Sequence, residues 1–167
     1  NYNVIRGNDL NNEMQKIGEV YDCDNHAGYC RYDSTKHNLI DSNDFAYTPS
    51  SGNASPYAGI QYSGQQGIIR RNRFHDTVGP AIQMAIYNRE ARHNTDNRIY
   101  HNVFYDTDFA GVQISGGDTV SGNVFLNNIF AKSAFVANDK RWSWWVRTLN
   151  GKPVQILTAR LDGYLFD

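Results

Sequence analysis

Nowhere in the 167 residues is there an apolar run of about 18 residues, which excludes a membrane-spanning helix. No charge of one sign dominates either. Sixteen Lys and Arg against seventeen Asp and Glu leave a net charge of -1, so no general pull toward nucleic acid or anionic membrane is implied. Cysteine is scarce: Cys23 and Cys30, seven residues apart, can close one small loop disulfide, as fits an exported protein, or stand as two loop thiols. No nucleotide loop, zinc-type Cys/His set or Ser/His/Asp arrangement is recognisable, and His26, His37, His75, His93 and His101 do not pair at metal-ligand spacing. Signal peptide and initiator Met are both missing from the opening Asn1-Tyr2-Asn3, the start expected of a processed or truncated product.

What the chain does contain is repetition. Five segments share an apolar residue, two variable residues, Asn, one variable residue and then Leu or Phe: Ile5–Leu10, Ile40–Phe45, Ile69–Phe74, Ile99–Phe104 and Val120–Phe125. Their asparagines, Asn8, Asn43, Asn72, Asn102 and Asn123, are 35, 29, 30 and 21 residues apart, so a unit of 21 carries insertions of different length. A second register repeats one strand in Gly59–Ser63, Ala81–Ala85 and Gly111–Ser115, with Gln61, Gln83 and Gln113 at its centre. Counting nine residues on from Leu10 assigns Glu19 as the first member of that column.

The apolar positions alternate over short β-favouring runs punctuated by Gly, Asn and Asp, which argues against helices. No single run can bury a face, so copies must stack, with equivalent residues about 4.8 Å apart in parallel register. This predicts an all-β chain, a right-handed parallel β-helix of about five coils over residues 1–138. Ile, Val, Leu and Phe form inward columns, and the Asn column occupies a turn, because Asn tolerates the left-handed backbone. Antiparallel hairpins would need complementary strands, not copied ones. Residues 139–167 depart from the repeat and read as a β-hairpin around Asn150-Gly151 that caps the open end, with Trp142, Trp144 and Trp145 on its first strand; the alternative for the three Trp is stacking on sugar rings or facing a partner subunit.

The segments Gly67–Thr77 and Asn123–Phe130 resemble parallel β-helix repeats of the pectin-lyase-like superfamily, and the resemblance covers about residues 1 to 130. It implies recognition of polysaccharide outside the cytoplasm, extracellular or periplasmic, with lyase-type cleavage of a uronate-containing glycan as the associated chemistry. No cofactor is required, although such lyases often use calcium. The same repeats recur in adhesins and other non-catalytic modules, so a structural or adhesion module binding a protein or glycan is the alternative.

Insertions on a solenoid become loops, and sites sit there. The stretches Asp22–Lys36 and Ile86–Asp96 lie at one corner and would wall a shallow groove. Its floor would be Glu19, Gln61, Gln83 and Gln113, whose outward amides could bind sugar hydroxyls, with Arg89 at the wall; the alternative is an amide ladder that only stabilises the sheet. A lyase needs a base, for which His26, Lys36, Arg70 and His75 are the candidates. Asp22, Asp24 and Asp33 could supply oxygen ligands to calcium, although turn-forming Asp in a solvated loop has the same pattern. The outward column Arg6, Asp41, Arg70 and Tyr100 alternates in charge, as a structural stack does. An uncapped first coil predicts association with a second subunit at that end or a missing N-terminal portion.

Overall fold

The computed structural model describes residues 3–11, 15–17, 19–24, 29–48, 58–84, 94–107, 110–115, 120–131, 133, 135–138 and 165–166. Among these residues the chain is all-β, and no helix is long and apolar enough to cross a membrane. The first sheet orders its strands β1 (Val4–Arg6), β6 (Leu39–Asp41), β9 (Ile68–Arg70), β13 (Arg98–Tyr100), β17 (Val124–Leu126) and β20 (Leu165–Phe166). The second runs β2 (Asp9–Asn11), β7 (Asp44–Ala46), β10 (Arg73–Thr77), β14 (Val103–Thr107) and β18 (Ile129–Ala131). The third runs β3 (Gln15–Ile17), β8 (Ile60–Tyr62), β11 (Ile82–Met84), β15 (Val112–Ser115) and β19 (Phe135–Asn138). All pairings within these sheets are parallel, and the chain visits the three in constant order, an arrangement consistent with a parallel β-helix. A short parallel pair joins β12 (Asn94–Thr95) to β16 (Val120–Ser121). The exception is antiparallel: β4 (Glu19–Asp24) pairs with β5 (Tyr29–Ser34) as a ribbon.

Vertical registry builds the core. Ile40, Ile69 and Ile99 are fully buried and stack with Ile5 and Phe125. Phe45, Phe74, Phe104 and Phe130 stack with ring centroids 4.7, 5.2 and 4.7 Å apart. Each contact joins near-parallel rings, the geometry imposed when identical residues repeat one strand spacing apart.

The Asn column is a continuous amide ladder. Nδ2 of Asn8, Asn43, Asn72 and Asn102 donates to Oδ1 of Asn43, Asn72, Asn102 and Asn128 at 3.1, 3.0, 3.0 and 3.0 Å. Each rung also accepts the backbone N–H of the Asn before it, and each Nδ2 from Asn43 onward donates back to the Ile carbonyl of the preceding winding.

Two expectations need correction here. The fifth copy is Phe125–Phe130, not Val120–Phe125: Phe125 pairs with Ile99, and the ladder passes to Asn128. Asn123 instead belongs to a second column, five residues upstream in every winding, where it accepts from Asn97 at 2.8 Å. The two registers are confusable because both place Asn before a short apolar run. Nor does the ladder Asn adopt the left-handed conformation; the residue before it does. Gly7, Ser42, Arg71, His101 and Asn127 form one left-handed corner, His37, Gln66, Asp96 and Gly122 a second, and Tyr47, Asp76 and Asp106 a third. The chain turns at these positions, and at the first two corners the following residue, Asn in every case but Gly67, locks the turn to the next winding.

The second column lacks one Asn, at Gly67, and Tyr62 replaces it. A Cβ on Gly67 would lie 1.9 Å from the Tyr62 hydroxyl, and one on Gly64 would lie 2.5 Å from it. The fully buried Tyr62 donates to Asn97 Oδ1 at 3.3 Å, and burial pushes its phenol up to about 12. Two glycines therefore make room for one hydroxyl that bridges the gap.

Candidate functional site

The outer face of the first sheet carries a linked set of charged side chains. Alternation along β1, β6, β9 and β13 turns the Ile column inward, so Arg6, Asp41, Arg70 and Tyr100 line up outside in register. Asp41 is fully buried beneath three guanidinium groups. Arg71, held at the left-handed corner, donates from Nε and Nη2 at 2.8 and 2.6 Å as a two-point clamp; Arg6 Nε and Arg70 Nη2 donate at 3.1 and 3.2 Å. Ser42 Oγ adds a fifth donor at 3.1 Å. Arg71 foremost, then Arg70, hold the Asp41 carboxyl well below the usual carboxylate range against the opposing effect of burial.

One carboxylate thus anchors three cations and leaves them partly open: the Arg6, Arg70 and Arg71 side chains are 55%, 29% and 54% exposed. Beside them lies a hollow of about 480 Å³ lined by His37, Asn38, Leu39, Gln66, Ile68 and Arg70. His37 and Gln66 reach it from the second left-handed corner, and Leu39 and Ile68 give it an aliphatic floor. Such a surface can hold an anion in rigid guanidinium forks while a flat apolar group rests alongside.

The sequence-derived bases that are described fall on different elements. Arg70 lies in this cluster. Lys36 is exposed at the corner before β6, where its backbone bridges to Gln65. His75 sits on the outer face of the second sheet, its Nδ1 2.6 Å from Asp76 and its Nε2 3.1 Å from Asp44. Arg73 also pairs with Asp44 and is the main reason that carboxyl lies below its usual range. His26 and Arg89 lie outside the described residues, as do most of the stretch Ile86–Asp96 and, apart from 165–166, the segment 139–167 read as a hairpin cap.

The Gln column stands in the expected register, but it is no open trough. Gln61 Nε2 donates to Gln83 Oε1, and Gln83 Nε2 to Gln113 Oε1, both at 3.2 Å, and Gln83 and Gln113 are each only 2% exposed. Gln83 and Gln113 are turned on their neighbours and closed to solvent, whereas Gln61 is half-buried. Glu19 is not their first member: Lys16 pairs with Gln61, while Glu19 opens the ribbon opposite Ser34. Nine residues on from Leu10 overshoots the column, because the step from Leu10 to Lys16, like that from Phe130 to Val136, is three residues shorter than the steps from Phe74 to Gln83 and from Phe104 to Gln113.

The ribbon backbone puts Asp22 and Asp24 on one strand and Asp33 on the other, with Asp22 opposite Arg31 and Asp33 opposite Val20. Among the described residues no group of three or more His, Cys, Asp or Glu is arranged to hold a metal ion.

Sequence reasoning named Arg6 and Arg70 as a column but passed over Arg71, His37 and Gln66. Their signal was position: each precedes an Asn-column site, or its Gly67 replacement, at the left-handed corner where a side chain is thrown outward. Compared with protein-family models, with curated proteins and with solved structures, the chain matches none, so its site must be read from its own residues.

Proposed function

We propose that this chain is a carbohydrate-recognition module that holds an acidic, uronate-containing polysaccharide against the outer face of its first sheet. The scaffold in this reading is a right-handed parallel β-helix of about five coils, of the pectin-lyase-like kind, with residues 139–167 as its cap, working outside the cytoplasm. The observation that carries the proposal is the Asp41 anchor. Three arginines fixed by one buried carboxylate lose little side-chain freedom when a ligand carboxylate meets their open edges. Leu39 and Ile68 beside them offer an apolar seat for a sugar ring.

Lyase-type cleavage has less support than binding. An arginine base must give up its proton, but hydrogen bonds to Tyr100 and then Asp41 make Arg70 hold its proton more tightly than usual. His75 lies on another sheet, next to two carboxylates that would repel a uronate. Binding without turnover is therefore the activity proposed. The second reading, a purely structural or adhesion module, draws on the hydrogen bonds that the Arg6–Asp41–Arg70–Tyr100 and Gln61–Gln83–Gln113 columns make along the stack.

Calorimetric titration with a homogalacturonan oligomer and with a neutral oligomer of equal length tests the choice. Binding of the acidic chain alone is expected, weakening with salt and weakened several-fold by Gln66→Trp, which fills the hollow, or Arg98→Gln, which removes an exposed cation next to Ile68. Equal binding of both chains, or of neither, overturns the acidic-glycan reading. Appearance of an unsaturated uronate product would restore the lyase.

A further inference from the structure

The second sheet presents a face of opposite character to the arginine cluster. Alternation turns Phe45, Phe74 and Phe104 inward, so Ala46, His75 and Tyr105 take the outward positions in register. The third left-handed corner follows them with Tyr47, Asp76 and Asp106. Ala46 is small and buried, and in that winding the ring comes from the corner instead: Tyr47 meets His75 edge-on, with centroids 5.7 Å apart. Three rings therefore climb the face over three windings, and the two tyrosines are 58% and 43% exposed.

Carboxylates hold the middle ring and edge the others. His75 Nδ1 lies 2.6 Å from Asp76 and its Nε2 3.1 Å from Asp44, so the imidazole is fixed from both sides. Asp9 stands exposed opposite Asp44 in the neighbouring winding. Among the described residues of this face and its corner, Asp9, Asp44, Asp76 and Asp106 stand against Arg73, whose guanidinium is paired with Asp44. Exposed rings edged by an excess of carboxylate attract a cation, which gains from the ring faces and from the negative charge together.

We infer that this face binds a cationic glycan, a chain of amino sugars bearing ammonium groups, laid along the stack of windings. The pitch selects a glycan over a basic peptide. Successive windings rise by about 4.8 Å, close to the advance of one sugar ring in an extended chain, so a C–H face can rest on an aromatic ring while the ammonium meets a carboxylate. An extended peptide brings same-face side chains only every ~6.6 Å and falls out of step with the windings. The same carboxylates turn away the uronate chain proposed for the first sheet, so the two faces select polymers of opposite charge. This site shares no residue with the arginine cluster, and failure of the acidic-glycan proposal leaves it untouched.

The test is calorimetric titration of the whole chain, at matched ionic strength and with the amines charged, using a glucosamine hexamer, its fully N-acetylated counterpart and hexalysine. The glucosamine hexamer is expected to bind, and the acetylated one to bind weaker by about tenfold or more. Asp76→Asn, which keeps a residue tolerant of the left-handed corner, and Tyr105→Leu should each weaken binding several-fold while the chain keeps its urea midpoint. Acetylated hexamer binding as tightly, no binding of either hexamer, or undiminished affinity in both variants overturns the inference. Hexalysine binding as tightly as the glucosamine hexamer overturns it too, and gives the face to a basic peptide.

Discussion

Replacing Asn72 by Ala removes a rung from the middle of the ladder and should be among the most damaging single changes in the protein. The side chain makes four hydrogen bonds: it accepts from the Asn43 N–H and Nδ2 at 2.9 and 3.0 Å, and donates to the Ile40 carbonyl and Asn102 Oδ1 at 3.0 Å each. Asn72 is 2% exposed and Asn43 3%, so the partners left behind are cut off from water. At about 1 kcal/mol for each bond, with an added cost for orphaned buried donors, Asn72→Ala should lose about 3–5 kcal/mol. That is a large share of a typical total of roughly 5–15 kcal/mol. Urea unfolding followed by far-ultraviolet circular dichroism measures it, with Asn127→Gly as the comparison. Asn127 is exposed, its amide reaches only His101 at 3.3 Å among the described residues, and Gly accepts its left-handed backbone, so this change should cost no more than about 0.5 kcal/mol. If the two variants unfold within about 1 kcal/mol of each other, the ladder is decoration and not a fastening.

Gly67→Ala should destabilise by about 2–3 kcal/mol through overpacking against the Tyr62 hydroxyl, and Tyr62→Phe should recover part of that loss in the double variant. Additive losses in a double-mutant cycle would separate the two residues. Asp41 is more acidic in the folded chain than in the unfolded one, so its contribution is present above the unfolded value near 3.9 and fades as pH falls below it. Stability of the wild-type chain should therefore drop through that acid range, whereas Asp41→Asn should start lower at neutral pH and respond less; parallel curves would show that Asp41 does not govern the acid limb. The ribbon register sets Cys23 directly opposite Cys30, at a backbone separation that a disulfide can span. Intact-mass measurement of protein refolded in air should find the chain lighter by two hydrogens, and two titratable thiols in that material would contradict the bridge.

Stacking was legible in the primary structure because parallel registry demands copying: Ile40, Ile69 and Ile99 recur with Asn three places on, and no other sheet arrangement asks for that. The same copying misled at Asn123, since two columns with one grammar run five residues apart. Burial of Gln83 and Gln113 was not legible, because period-two alternation gives the side of a strand and not what covers that side. The Asp41 clamp was half visible. Its column could be read, but Arg71 joins it from a corner whose backbone bends left, and nothing in an Arg-Arg pair announces a bend. The replacement of an Asn by a tyrosine hydroxyl at Gly67 was invisible, because it depends on space created by two glycines around a residue in another strand.

Successive ladder asparagines are 35, 29, 30 and 26 residues apart, yet the windings lie in one vertical line. Height is metered by a few bonded residues at each corner and indifferent to how much chain passes between them. Such a body can lengthen or shorten its excursions freely while its spine keeps time, so new surface can be tried on one storey without disturbing those above or below.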